Sequence, residues 1–416
     1  MGVGPSTGMA TLGRWRSVLR ERHLPWLFTL FLVLALTLES RTGVVNILRG
    51  PLFLAVLLCM EGTDLRALWA NGPARWFLLL MAWLGLSLLW DGATEEDWKI
   101  LQRGLQVLTL LMLVFLVGRC RPDWQGRILR LYVIAGLACA VLILQAWSGS
   151  PARLTDLYPG LERSHFYTRG VLTISIFTGW MMAVLAIAAL YMALATDSRL
   201  GLLYLACALL CALVMVLTQA RAAWLAGVLG IAMVLWHHRP RRWWLWLATV
   251  PLVPVAVALW VPEWRDILAD SLERGGSFRL SIWRNAVYRV LESPLHALVG
   301  HGLSASTRTV AEGILQNHYH SLYLNTLFHG GLVGLGLYLG CLWRLVLDWR
   351  REPRNWLWAC LLIPMQLAFV VDGENSFVTP SAMMLAYLLP LFWAMHNWQP
   401  FVSDQTTNGL PGHKWG

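Results

Sequence analysis

The sequence predicts an all-α polytopic membrane protein with about twelve transmembrane helices and a long helix-containing loop on one side of the membrane. Hydrophobic residues make up 57% of the 416 residues and charged residues only 13%, whereas a soluble domain carries roughly a quarter charged residues. Apolar stretches long enough to cross about 30 Å of hydrocarbon recur along the chain. Many of the 25 tryptophans lie beside arginine clusters, as expected for rings that anchor helices at the membrane surface.

The predicted spans divide the chain into four parts. Residues 1–261 carry the first nine spans, 262–318 form the long loop with amphipathic helices, 319–398 carry three more spans, and 399–416 form a polar tail. The second span contains Arg49-Gly50-Pro51 and is expected to be bent or broken. The spans are placed at approximately 25–41, 44–61, 75–91, 100–118, 128–148, 171–194, 200–218, 222–237, 243–261, 319–343, 355–371 and 377–396.

Arginine clusters alternate with arginine-poor connections between the spans. The basic clusters include segments 14–22, 119–130, 239–242 and 344–354, whereas the acidic connections are 91–97 and 372–374. Because basic residues concentrate on the cytoplasmic side, both termini are predicted to be cytoplasmic and the long loop to lie outside. A net charge of +10 can indicate nucleic-acid binding, but short clusters between apolar spans are better explained as topology signals, so no nucleic-acid partner is predicted.

Neither the cysteines nor the acidic residues offer an evident metal site in the sequence. The seven cysteines lie within or beside apolar spans, and Cys207 and Cys211 share one helix face without nearby partner ligands. Core packing is therefore favoured over metal binding. No Asp-x-Asp pair for a divalent cation is seen, so no metal and no cofactor is predicted.

Two predicted outer segments carry arginines against the topology rule. Residues 148–170 contain Arg163 and Arg169, and the long loop contains Arg279, Arg284, Arg289 and Arg308. An anionic ligand or lipid headgroups would explain them. Within the loop, one helix is expected after Pro262 and a second, amphipathic helix from Ser277 to the stop at Ser293-Pro294. Arg279 falls in the first turn of that second helix, where free backbone N–H groups favour an anion. Lipid headgroups are the favoured partners of Arg284, Arg289 and Arg308.

Two further arginines and two histidines stand at membrane boundaries. Arg221 opens a span after a very short connection, so it either snorkels or offers a bidentate guanidinium to phosphate oxygens. For Arg49, helix packing and function are both open. His318 and His320 lie where the long loop re-enters the membrane, and on a helix their rings would point about 200° apart. Imidazole suits proton transfer near neutral pH; His329, deeper in the span, is expected to be structural.

Three groups of residues resemble the O-antigen ligase family and its superfamily with O-antigen polymerases. The first is His320-Ser321 followed by Gly331-x-x-Gly334. The second is Phe278-Arg279-Leu280-Ser281-Ile282-Trp283, which leads to Ser293-Pro294 and Gly300-His301-Gly302. The third is Gln219-Ala220-Arg221. The resemblance covers about 221–334, and the hydropathy profile is similar over the whole chain.

The resemblance implies a C-type glycosyltransferase-like helical fold and glycosyl transfer at the periplasmic face of a bacterial inner membrane. The donor would be an O-antigen chain on undecaprenyl pyrophosphate, and the acceptor a sugar hydroxyl of lipid A–core. Transfer would be inverting and would need neither metal nor ATP. His320 would act as the general base, and Arg221 and Arg279 would hold the pyrophosphate. His318, Arg49, Arg163, Arg169 and Arg284 are further candidate site residues.

Other functions remain open on the sequence alone. An O-antigen polymerase would use the same chemistry with a lipid-linked glycan as acceptor, and a protein O-oligosaccharyltransferase would use a serine or threonine. A lipid-linked oligosaccharide transporter belongs to a different class and commonly carries charges near the bilayer midplane. Here the charges gather at one face, which favours catalysis at the interface.

Overall fold

The structure, a computed structural model, describes residues 14–38, 41–90, 95–148, 175–196, 198–218, 220–239, 277–311, 314–316, 318–351, 356–373 and 383–398. These residues form helices and one short antiparallel hairpin. By length and composition, seven of the described helical segments could cross a membrane. Two shorter apolar helices, Trp356–Val371 and Met384–Met395, accompany them. The protein is therefore a polytopic helical membrane protein, as the sequence predicts.

The first half of the chain contributes mainly long apolar helices. In order they are α1 (Leu24–Thr37), α2 (Arg41–Ile47), α3 (Phe53–Cys59), α4 (Gly62–Ala70), α5 (Gly72–Leu86), α6 (Glu95–Cys120), α7 (Gln125–Ser148), α8 (Ser175–Leu194), α9 (Arg199–Leu217) and α10 (Arg221–His238). A π-helical turn over Leu48–Leu52, around Pro51, joins α2 to α3. The predicted irregularity in the second span is thus confirmed, because proline cannot donate the helical hydrogen bond.

The second half combines two loop helices with three membrane helices. They are α11 (Ser277–Val290), α12 (Pro294–Val299), α13 (Leu322–Arg351), α14 (Trp356–Val371) and α15 (Leu389–Met395). Strands β1 (Thr309–Ala311) and β2 (Ile314–Gln316) pair antiparallel between α12 and α13. The predicted second loop helix is confirmed as α11, whereas the hairpin was not predicted. Span 243–261, the helix expected after Pro262 and the tail 399–416 lie outside the described residues.

Small residues allow the central helices to approach closely. Gly230 of α10 lies against Ile187 of α8 and the backbone of α14, where an added Cβ would lie 2.9 Å from the carbonyl oxygen of Cys360. Gly179 of α8 lies equally close to Ala220 at the start of α10. Such contacts stabilise helix association in lipid, where apolar burial gives little advantage. They make α8, α10 and α14 neighbours along their length.

A break in α13 defines one end of the bundle. Gly331 leaves the helical conformation with φ 63° and ψ −165°, and an added Cβ there would lie 2.5 Å from the backbone nitrogen of Gly300. The freed carbonyls are satisfied from outside the helix: His301 N–H donates to Phe328 O at 2.8 Å, and Trp83 Nε1 donates to Gly330 O at 2.8 Å. Two glycine motifs separated in sequence thus meet, because only glycine allows this approach.

The opposite end of the bundle contains a buried ion pair. The Asp64 carboxylate is fully buried, and its Oδ1 lies 2.8 Å from Nη2 of Arg20 and 3.3 Å from Nη1 of Arg119. Asp64 belongs to α4, which begins with a capping box between Glu61 and Asp64. Burial of a carboxylate requires such partners. Some of the arginines predicted to mark the cytoplasmic side therefore also hold α1, α4 and α6 together.

Candidate active site

His318 and His320 lie in an irregular segment that precedes α13. The helix begins at Leu322, and His320 has a left-handed backbone with φ 48°. The two imidazoles are in contact, with ring centroids 4.0 Å apart, and the His320 N–H donates to His318 Nδ1 at 3.3 Å. The expected divergence of about 200° is wrong, because helical geometry does not apply before Leu322. We call the end of the bundle that contains these rings the histidine end.

Asp372 faces His320 from the turn that follows α14. It follows α14 by one residue and is buried, and its Oδ1 lies 3.6 Å from Nδ1 of His320. The same oxygen accepts a hydrogen bond from the Gly373 N–H at 2.8 Å. A carboxylate beside an imidazole can orient the ring and stabilise its protonated form. His320 and Asp372 therefore form a pair of the kind that general-base catalysis uses.

Electrostatics around the His320–Asp372 pair favour an ionised Asp372 carboxylate and an uncharged His318 imidazole. Burial by itself raises the pKa of Asp372, but the contact with His320, the Gly373 N–H and the charge of Arg279 together hold that pKa below its ordinary value. Burial and the neighbouring His320 lower the pKa of His318 to about 4, against a smaller opposing effect of Asp372. At neutral pH, Asp372 is negative and His318 is uncharged.

Asn325 connects the histidine segment to the turn after α14. Its Nδ2 donates to Ser321 O at 2.8 Å and to Gly373 O at 3.2 Å. Its Oδ1 accepts from the Tyr319 N–H at 3.4 Å. Because Asn325 is buried, these bonds are poorly replaced by water. Asn325 thus fixes the separation between the backbones that carry His320 and Asp372.

Arg289 supports the same segment from α11. Its Nη1 donates to the Tyr319 hydroxyl at 3.0 Å and to Ser306 O at 2.8 Å. The guanidinium also lies 4.6 Å from the centre of the Phe328 ring, a distance at which a cation is attracted to the ring face. The sequence favoured a contact with lipid headgroups for Arg289, and the structure shows protein partners for its guanidinium. Its partners come from loop and helix segments that are distant in sequence.

Arg279 and Arg221 both belong to the histidine end. Arg279, in the first turn of α11, is half-buried and close enough for its charge to lower the pKa of Asp372. Arg221 is the first residue of α10 and is exposed. The ring of His237 stacks on that of Trp356 at 5.1 Å near the other ends of α10 and α14. Arg221 lies 16 residues before His237, and Asp372 lies 16 residues after Trp356. Each separation corresponds to about 24 Å along a helix, so Arg221 and Asp372 lie at the same end of the bundle.

The remaining predicted site residues are more dispersed. Arg284 is exposed on α11, and Arg163 and Arg169 lie outside the described residues. With the Gln106 amide oriented to present its oxygen, Arg49 donates from Nε and Nη2 to that oxygen, both at 3.0 Å. This contact joins the π turn to α6 and favours the packing interpretation of Arg49.

Two other sequence interpretations can be compared with the structure. His329 is buried, with its Nδ1 2.8 Å from Gly302 O, which confirms its expected structural role. Six of the seven cysteines are buried, Cys120 being the partly exposed one, as expected for core packing. In the sequence, Asp372 was assigned only to an acidic outer turn. The available signal was its position at the end of a span on the side predicted for His320.

The fold and the site together define a multi-pass membrane protein with a histidine–carboxylate pair and arginines at one end of its helices. Residues 206–339 match the O-antigen ligase family. This segment is therefore similar to the O-antigen ligase family, and the resemblance inferred from its motifs is confirmed. This chain is thus O-antigen ligase-like.

A curated relative supports the same assignment. The O-antigen ligase of Pseudomonas aeruginosa strain PAO1 is 28% identical over 304 residues, which cover 70% of this chain and 68% of that protein. The family match includes Arg221, Arg279 and His320 but ends before Asp372. Asp372 therefore enters the candidate site through the fold, not through the matched segment.

Proposed function

We propose that this protein is an O-antigen ligase that transfers O-antigen polysaccharide from undecaprenyl pyrophosphate to a sugar hydroxyl of lipid A–core. In this proposal the chain crosses the inner membrane about twelve times in a C-type glycosyltransferase-like fold. Both termini are cytoplasmic, and the histidine end faces the periplasm. The alternation of basic clusters supports this orientation. The observation that carries the proposal is the contact between the buried Asp372 and His320, which lies in the segment that matches the O-antigen ligase family.

The proposed reaction is a single inverting displacement at the anomeric carbon of the donor sugar. His320 takes the proton of the acceptor hydroxyl while the acceptor oxygen attacks. The new glycosidic C–O bond forms as the bond to the pyrophosphate oxygen breaks, and the electron pair leaves with undecaprenyl pyrophosphate. Asp372, ionised at neutral pH because its pKa is lowered, stabilises the imidazolium that forms. General-base catalysis of this kind contributes about 10²–10⁴-fold.

The arginines are assigned to the donor. Arg221 and Arg279 would bind the pyrophosphate oxygens and stabilise the charge that grows on the leaving group. Two guanidiniums neutralise the diphosphate without a metal ion, so transfer is expected to persist in EDTA. Arg284 is exposed on the same helix as Arg279 and could extend the basic surface, as could Arg163 and Arg169. His318, uncharged at neutral pH, is assigned to supporting His320 through the ring contact.

The decisive test of the base is transfer from purified lipid-linked O-antigen to lipid A–core in vitro. His320→Gln keeps a hydrogen-bonding side chain that cannot accept a proton at neutral pH, and we expect it to lose transfer while still binding donor. His23→Gln is the matched control, because His23 is exposed near the opposite end of the bundle. Normal turnover by His320→Gln would remove the general base from the mechanism.

A deletion strain separates the ligase from its relatives. Loss of a ligase leaves lipid A–core uncapped while polymer accumulates on undecaprenyl pyrophosphate. Loss of a polymerase leaves cores capped with a single repeat, and loss of a protein O-oligosaccharyltransferase leaves lipopolysaccharide unchanged. Loss of a transporter traps donor on the cytoplasmic side, and the purified protein then transfers nothing.

The orientation is tested by thiol labelling in intact spheroplasts. Arg308 is exposed in the loop before β1, and Arg239 is exposed after α10. Arg308→Cys should react with a membrane-impermeant maleimide, whereas Arg239→Cys should react only after the membrane is permeabilised. The reverse pattern would place the candidate site in the cytoplasm and exclude a periplasmic ligase.

A further inference from the structure

A cluster of possible metal ligands lies where α11 turns towards the break in α13. Glu292, His296 and His301 each offer one ligand atom, and these three atoms all lie within 4.8 Å of one another. Glu292 is exposed, and both histidines are partly buried. Two imidazoles and one carboxylate, with a position left for water, form one of the common ligand sets of protein-bound zinc. None of these residues has a role in the proposed transfer.

His301 is already held as a metal-binding imidazole usually is. Its Nε2 lies 2.8 Å from the carbonyl oxygen of Arg289. A carbonyl can only accept, so Nε2 carries the proton and Nδ1 keeps the lone pair that a cation needs. A ligand histidine typically donates its second N–H to a carbonyl in this manner.

His296 adds an unsatisfied buried nitrogen beside that ring. Its imidazole stacks on His301 with centroids 4.1 Å apart. Nδ1 of His296 is buried and has no hydrogen-bond partner among the described residues. A buried polar atom without a partner costs free energy, and a cation bound at this nitrogen would remove that cost. His296 is fixed one turn after Glu292 because the Ser293 side chain accepts its backbone N–H at 3.1 Å and caps α12.

We propose that Glu292, His296 and His301 bind a divalent transition-metal cation of the Zn²⁺ class. In a tetrahedral site with metal–nitrogen bonds near 2 Å, ligand atoms lie roughly 3.3 Å apart. The three side chains therefore need to close by about 1.5 Å, which rotation of the exposed Glu292 supplies most easily. The cation joins the end of α11 to the Gly300-His301-Gly302 segment.

The position of the site gives the cation a structural role. His301 N–H and Gly302 N–H donate to the carbonyls of Phe328 and His329 at the break in α13. His301 also stacks on Phe328 at 4.5 Å. A bound cation would therefore fix the loop that satisfies this break. Because its role is structural, chelation should lower thermal stability without removing the groups that perform transfer.

Zn²⁺ binding to the purified full chain tests the proposal. The protein carries a tag without histidine, is treated with EDTA, desalted, and titrated with Zn²⁺ against a chromophoric chelator. We expect one equivalent per chain and a higher melting temperature with Zn²⁺. Glu292→Gln and His296→Gln should each weaken binding by about 10-fold or more and lose the metal-dependent rise in melting temperature. His23→Gln should bind like the parent protein.

Melting temperatures show whether the variants are folded, and the Co²⁺ spectrum distinguishes the proposed site from metal binding at cysteines. Both variants must match the metal-free parent in melting temperature, which excludes loss of binding through unfolding. Co²⁺ in place of Zn²⁺ should give visible bands without the thiolate-to-metal absorption of a cysteine site. The proposal is overturned if the parent protein does not bind Zn²⁺ at micromolar concentrations. It is also overturned if both variants bind Zn²⁺ as tightly as the parent protein. Neither result affects the proposed ligase activity, because the readout is metal binding and not transfer.

Discussion

Asp372→Asn tests whether the carboxylate assists His320. The substitution keeps the size of the side chain and removes the negative charge that faces His320 Nδ1 at 3.6 Å. The remaining amide can still accept from the Gly373 N–H, which now bonds the Asp372 carboxylate at 2.8 Å. The fold is therefore expected to survive, while the imidazolium that forms during transfer loses its counter-charge.

The separation of the two side chains sets the size of the effect. Unit charges 3.6 Å apart interact by about 5 kcal/mol at an effective dielectric constant near 20. The side chain of His320 is 21% exposed, so water weakens this attraction, and the proton is only partly transferred in the transition state. A loss of about 3–4 kcal/mol remains, and kcat should fall by about 10²–10³-fold.

The assay is steady-state transfer with purified donor and acceptor. We expect kcat to fall while KM for the lipid-linked donor stays unchanged, because the pyrophosphate contacts are assigned to arginines. Asp372→Glu should recover part of kcat, since it restores the charge. Asp348→Asn is the control, because Asp348 pairs with Arg344 at 3.3 Å at the other end of α13. A kcat within threefold of the parent value for Asp372→Asn would refute the reasoning.

Three further outcomes are expected. Gly331→Ala should lower the melting temperature, because the backbone at φ 63° and ψ −165° costs a non-glycine residue about 1–3 kcal/mol and the new Cβ meets Gly300 N at 2.5 Å. Gly336→Ala, whose added Cβ would have nothing within 4 Å, should leave the melting temperature unchanged. Arg279→Lys should lose most transfer, since an ammonium cannot replace the bidentate guanidinium; near-normal activity would contradict the pyrophosphate contact. As pH falls from about 6.5 to about 4, the unfolded chain binds a proton at His318 that the native protein excludes, so the free energy of unfolding falls. His318→Gln should therefore make the melting temperature less dependent on pH within that window.

The break in α13 involves glycines that the sequence motifs marked but did not explain. The sequence marked Gly300, Gly302, Gly331 and Gly334 as parts of a resemblance, without a physical reason for them. The structure gives the reason, because the loop backbone donates to the carbonyls that the break exposes. A glycine whose Cβ would clash with a distant segment cannot be distinguished in sequence from one that merely bends a chain.

The sequence by itself determined the class of protein, the positions of most of the described helices and the resemblance to the family, and it proposed the residue types of the candidate site. Hydropathy and arginine placement are local properties, and the length of an apolar run needs no knowledge of its neighbours. Only the tertiary structure decided that His320 pairs with Asp372 and that the rings of His318 and His320 touch. Those contacts join segments about fifty residues apart, or depend on an irregular turn, and no helical period encodes either.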